Sequence, residues 1–183
     1  MAADLLHMAA MAGTTLLVLL FLRAAWHKLA DFGRFSGFVA DYQLLPGAWV
    51  EHAARLLIGL EGLTVALLLT PALNRLGALL AIALLLAYAA VIAINLSRGH
   101  VHIDCGCGGA PQRLSPALLL RNALLVVLAL PIAAGQVAPL GLFESAAAIV
   151  AGSLLWLIYN VAEQLLANNG HLHLALRQSG GMR

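Results

Sequence analysis

Residues 76–97 read LGALLAIALLLAYAAVIAINLS, a run without a single charged side chain. About 20 apolar residues in helical form cross the roughly 30 Å hydrocarbon layer of a bilayer. A helix is also the form in which such a segment leaves no backbone N–H or C=O unmet in lipid. The run therefore predicts a transmembrane helix. The whole chain agrees with it: of 183 residues, 62% are hydrophobic and 10% charged, with a mean hydropathy of +0.94, whereas a soluble domain is about a quarter charged. The expected fold class is all-α, a polytopic membrane helix bundle forming a single membrane domain over residues 1–183. A soluble enzyme is excluded.

Working outward, an apolar stretch from Leu5 to about Leu29 predicts the first span, closed by Arg23, Trp26, His27 and Lys28, an amphipathic set suited to the headgroup region. Residues Met1 to Leu22 lack the basic start and small-residue cleavage site of a secretory signal, so this helix is expected to be retained. Residues 31–45, DFGRFSGFVADYQLL, repeat apolar side chains at helical spacing around Arg34 and Asp41 and predict an interfacial amphipathic helix. Pro46 and Gly47 break it. A second span follows over about 52–73, interrupted by Arg55 and Glu61 and ended near Pro71, and residues 76–97 form the third. After the segment 98–115, Ser115 and Pro116 suit an N-cap and a first helical position for a fourth span, about 116–135. A fifth covers about 144–167, and the polar tail NNGHLHLALRQSGGMR is expected outside the bilayer. Five spans are expected, and the length also accommodates four.

The formal net charge is +2, and the ten Lys and Arg form no block, which sets nucleic-acid binding aside. With five spans, Lys28, Arg34, Arg98, Arg113, Arg177 and Arg183 share one face, against Arg75 on the other. The positive-inside rule makes the first face cytoplasmic. No internal repeat is visible, so an inverted-repeat transporter is not supported.

Both cysteines fall between spans three and four, in the run Gly99, His100, Val101, His102, Ile103, Asp104, Cys105, Gly106, Cys107, Gly108, Gly109. Separated by one glycine, they can close a disulfide, but so small a ring departs from relaxed geometry, and strained disulfides are the more easily reduced ones. Closing so short a loop also contributes little to stability. Positive charge from His100, His102 and Arg113 favours thiolate, Asp104 opposes it, and the glycines clear an approach to the sulfurs. Cys105 and Cys107 are thus candidate exchanging thiols. Two alternatives stand beside this reading: inert small hydrophobes, or metal ligands, since His100, His102, Cys105 and Cys107 offer two imidazoles and two thiolates to Zn or Cu(I).

Inside the spans, Glu61 must face the bundle interior, either as a proton carrier or as a buried partner for Arg23 or Arg121. Arg121 and Asn122, in the second turn of span four, can point toward the cysteine segment, or Arg121 can snorkel or pair with an acid. Glu51 and Arg55 read as a simple helix pair, and His27 and Lys28 as interface anchors or site residues. His171 and His173 read as solvated.

These residues together resemble the MauE family of methylamine-utilisation membrane proteins, grouped with DoxX-like redox-associated proteins. The resemblance covers most of the chain and is carried by Trp26-His27-Lys28-Leu29, Tyr42 with Leu45-Pro46, Glu61, Cys105-Gly106-Cys107 and Arg121-Asn122. The family's pattern has an aromatic before the glycine after the second cysteine, where this chain has Gly108 before Gly109. The resemblance implies an inner-membrane thiol–disulfide oxidoreductase or accessory that supports disulfide formation and maturation of the methylamine dehydrogenase small subunit. Its expected partner is a thioredoxin-like, MauD-like protein, with Cys105 and Cys107 catalytic and His100, His102, Asp104, Glu61, Arg121, Asn122, His27 and Lys28 supporting. No haem, flavin or quinone motif is legible, so no cofactor is expected beyond the redox disulfide. The implied role requires access to the periplasm, whereas the charge rule turns the cysteine segment to the cytoplasm. A segment folded back into the bundle would reconcile them, since residues 99–109 carry one full charge, Asp104. The alternative functions are a metal-binding membrane protein and a non-redox scaffold that docks a partner through the aromatic helix 31–45.

Overall fold

The computed structural model describes the backbone of residues 2–100, 114–137 and 140–180, and side chains within residues 4–168 of those segments. It contains six helices among the described residues: α1 (Ala2–Ala30), α2 (Phe32–Asp41), α3 (Gly47–Leu69), α4 (Asn74–Ser97), α5 (Pro116–Ala133) and α6 (Leu142–Gly180). Five of them are long and apolar enough to cross a membrane, and α2 is the short one. The all-α membrane bundle expected from composition is what the chain forms.

The bounds of three helices differ clearly from expectation. The interfacial helix stops at Asp41 rather than at 45, because Gln43 takes a left-handed backbone (φ 50°) and its N–H turns back to the carbonyl of Ala40. Pro46 then occupies the N-cap position of α3, which starts at Gly47 rather than at about 52 and ends at Leu69, leaving Pro71 in the following turn. The last helix does not stop at 167. Its apolar part, Leu142–Asn168, continues as helix through the polar tail to Gly180.

Contacts along the helices define the topology. Ala12 of α1 lies against Gly152 of α6 and, further along both, Arg23 faces Glu163, so α1 and α6 run parallel. Gly13, near the start of α1, meets Leu128 and Ile132 near the end of α5, so α5 runs the other way. Helices α3 and α4 join through a tight turn, after which Gly77, in the first turn of α4, stands where a Cβ would lie 2.7 Å from the backbone nitrogen of Leu68. The core combines Leu16, Leu17 and Phe21 of α1 with Ala78, Ala81, Leu84 and Leu85 of α4 and Leu125, Ala129 and Ile132 of α5. Small residues at these crossings suit helices that associate in lipid, where close backbone packing replaces the hydrophobic drive. Leu56, Leu63, Leu124, Val127 and Ile158 point outward and stay exposed, which suits a hydrocarbon solvent.

Helix α2 is amphipathic. Asp31 caps it, accepting a hydrogen bond from the Arg34 N–H at 3.1 Å. Phe35 is buried, and with Phe32 and Val39 it packs on Ala54, Leu57 and Ile58 of α3. The aromatic face that sequence offered for docking a partner is thus engaged within the molecule.

Candidate functional site: a charged cavity inside the bundle

The last turn of α1 and the middle of α3 bring Lys28 and Glu61 together. Their side chains are 4% and 1% exposed, and the Lys28 ammonium donates to Glu61 Oε1. The Tyr88 hydroxyl, from α4, donates to the same oxygen at 2.7 Å and lies 3.2 Å from Lys28 Nζ. Lys28 Nζ also sits 5.0 Å from the ring centroid of Phe35 and 4.9 Å from that of Tyr88, so two aromatic faces flank the cation. An ion pair withdrawn from water persists when hydrogen bonds satisfy its remaining groups. Here one atom is left over: Glu61 Oε2 is buried without a hydrogen-bond partner among the described residues.

A second cluster repeats this chemistry on other helices. Arg121 of α5 donates to Glu163 Oε1 of α6 at 2.6 Å, the Tyr159 hydroxyl donates to that same oxygen at 2.6 Å, and Arg23 of α1 stands 3.9 Å from Glu163 Oε2. Glu61 and Glu163 therefore each take one cation and one tyrosine hydroxyl on a single oxygen. Asn122, fully buried, accepts from Arg121 at 3.4 Å through Oδ1, and its Nδ2 has no partner among the described residues.

Both clusters line one cavity of about 300 Å³ in the bundle. Its other walls are apolar, with Phe21, Leu57, Val91, Leu125 and Trp156 among them, and Leu44 and Leu45 of the α2–α3 connection also line it. Lys28 lies in the last turn of α1, Ile92 near the end of α4, and Arg121 and Asn122 near the start of α5. The cavity thus sits toward the end of the bundle at which Ser97 and Pro116 bracket the cysteine segment.

Of the residues singled out from sequence, Lys28, Glu61, Arg121 and Asn122 converge on this cavity. His27 is exposed on α1 and is not part of the lining. His100 is half-buried just beyond α4, its N–H donating to the carbonyl of Asn95 at 3.0 Å. His102, Asp104, Cys105 and Cys107 lie outside the described residues, as do Arg113 and Arg183. Three of the four proposed metal ligands fall there too. Among the described residues no three His, Cys, Asp or Glu gather as a metal site.

One pairing and one placement are corrected. Glu61 binds Lys28 and Tyr88, not Arg23 or Arg121, both of which turn to Glu163 instead. Lys28 is no interface anchor: it is buried, and it leaves the tally of loop charges used for orientation. The pairing of Arg121 with an acid and the exposed Glu51–Arg55 pair, at 2.8 Å, occur as expected. Tyr88, Tyr159, Trp156 and Glu163 were missed. Glu163 carried a legible signal, an acid within an apolar span, and Tyr159 stands one helical turn before it.

Fold and site together define a polytopic helical membrane protein that keeps two carboxylate–cation–tyrosine clusters around an apolar cavity. The family model described as methylamine utilisation protein MauE matches residues 6–135, which take in Lys28, Glu61, Tyr88, Arg121 and Asn122. The chain belongs to this family. It is 42% identical over 154 residues to the methylamine utilization protein MauE of Paracoccus denitrificans, covering 81% of this chain and 82% of that one. It is 36% identical over 166 residues to the MauE of Methylophilus methylotrophus, covering 86% and 85%. No solved structure matches.

Proposed function

We propose that this methylamine-utilisation protein is a membrane thiol–disulfide redox protein that, with a thioredoxin-like partner, supports disulfide formation in the methylamine dehydrogenase small subunit. Cys105 and Cys107 are its exchanging pair, and the bacterial inner membrane is its site of action. The observation that carries the reading is the burial of Lys28, Glu61 and Tyr88 as one hydrogen-bonded unit lining a cavity that extends toward the end of the bundle where α4 ends and α5 begins. Charged groups inside a membrane are costly and are kept chiefly where they pair or serve function. This unit can hold and move a proton, which thiol oxidation requires.

The exchange itself balances within the two proteins. A thiolate of the reduced partner attacks one sulfur of the Cys105–Cys107 disulfide, forming a mixed disulfide and releasing the other sulfur as thiolate. The partner's second thiolate then attacks the mixed bond. The partner leaves oxidised, and the pair has gained two electrons and two protons.

Single variants Cys105→Ser and Cys107→Ser test this. One of them is expected to accumulate a mixed disulfide with the thioredoxin-like partner, and the double variant to leave the small subunit without its disulfides. A double variant that matures the subunit normally rejects the reading.

A further inference from the structure

The cavity holds polar atoms that its own walls do not satisfy. Asn122 Nδ2 and Trp156 Nε1 are buried donors without partners among the described residues, and Glu61 Oε2 is a buried acceptor without one. All three residues line the same space, whose remaining surface is mainly apolar. Buried polar atoms in a protein interior are overwhelmingly hydrogen-bonded, and an unmet set around a cavity calls for a bound molecule that completes it. The volume of about 300 Å³ stands at the lower edge of ligand pockets, roughly 300–1,000 Å³, room for a ring-sized head but not for a peptide.

These features select the occupant's chemistry. A lipid acyl chain would leave all three atoms unmet. The head must accept hydrogen bonds from Asn122 and Trp156, and it must also be able to donate one to Glu61. Lys28, Arg23 and Arg121 line the cavity, so a head that passes through a negatively charged state meets cationic side chains there. Leu45, 45% exposed, is part of the lining, so an apolar tail can pass out beside it.

We infer that the cavity walled by Lys28, Glu61, Asn122 and Trp156 is the binding site of a lipid-soluble quinone. Its ring carbonyls accept from Asn122 and Trp156, and its reduced form donates a hydroxyl to Glu61 Oε2. The binding site stands on the cavity alone. Its use rests on the redox reading above: two S–H bonds of the reduced cysteine pair break, one S–S bond forms, and the quinone takes up the two electrons and two protons to become a quinol.

The test uses the full-length protein in lipid nanodiscs, with decylubiquinone as the probe and quenching of tryptophan fluorescence as the readout. Saturable quenching at one quinone per chain is expected. It should be at least tenfold weaker in affinity in Asn122→Leu, lose most of its amplitude in Trp156→Phe, and persist in the double variant Cys105→Ser/Cys107→Ser. Absence of saturable binding to the wild-type protein overturns the site, as does displacement of the probe by oleate at lower concentration than by a second quinone. A reduced thioredoxin-like partner should then convert bound quinone to quinol with wild-type protein and not with the cysteine-free variant. Saturable quinone binding without that turnover upholds the site and rejects the redox reading instead.

Discussion

Lys28 and Glu61, 33 residues apart in sequence, form an ion pair whose side chains are 4% and 1% exposed, joining the end of α1 to the middle of α3. Both charges are withdrawn from bulk solvent and face the cavity between the helices. This pair, more than any apolar contact, couples the bundle's packing to its chemistry.

Breaking the pair from one side strands a charge. Lys28→Met should destabilise the protein by about 3–5 kcal/mol, the usual cost of an uncompensated buried charge. Replacing both residues, as Lys28→Met with Glu61→Leu, removes both desolvation costs. The double variant should therefore unfold closer to wild type than either single variant in thermal denaturation followed by circular dichroism. Additive losses would contradict the pairing.

Tyr88→Phe removes one donor from Glu61 Oε1 and leaves the ion pair in place. A loss of about 0.6–1.7 kcal/mol is expected, the range for hydrogen bonds between helices in bilayers. A double-mutant cycle with Glu61→Gln measures it, and a coupling near zero would show that the hydroxyl does not engage the carboxylate.

The exposed pair Glu51–Arg55, with side chains 62% and 61% exposed, provides the contrast. Glu51→Gln should change stability by less than about 0.5 kcal/mol. A larger effect would mean that this turn of α3 is covered by something outside the bundle.

Packing between α1 and α6 can be tested at Gly152, where an added Cβ would run into the Ala12 carbonyl and Thr15. Gly152→Ala should cost about 1–3 kcal/mol by overpacking. Gly59→Ala on α3 meets nothing within 4 Å, and by helix propensity it should be neutral or stabilising by up to about 1 kcal/mol. Parallel unfolding of the two variants in detergent decides it; equal melting temperatures would contradict the close approach.

The spans were legible because a long uncharged run such as residues 76–97 has one stable form in lipid. The charged residues that matter were legible too, since an ionisable group inside a span stands out. Their partners were not. Glu61 was matched to Arg23 or Arg121, and it binds Lys28, because pairing depends on helix rotation and cross-helix register that one sequence does not encode locally. Lys28 reads equally as an anchor or a site residue in sequence, since Trp26 and His27 beside it are exposed. Gln43 hid the end of α2, as a left-handed backbone at a non-glycine residue leaves no compositional mark. The cavity was invisible for a related reason: its walls come from all six helices, which no sequence motif joins.

On the proposed function, Cys105 and Cys107 cycle between bonded and free in the membrane. Differential alkylation in intact cells, with an impermeant maleimide applied before and after reduction and read by mass shift, measures this directly. A large fraction of active protein is expected to be blocked before reduction and to gain two labels after it, with the blocked fraction falling when reduced thioredoxin-like partner accumulates. Two labels on active protein without any reduction, in every state of the partner, would contradict it.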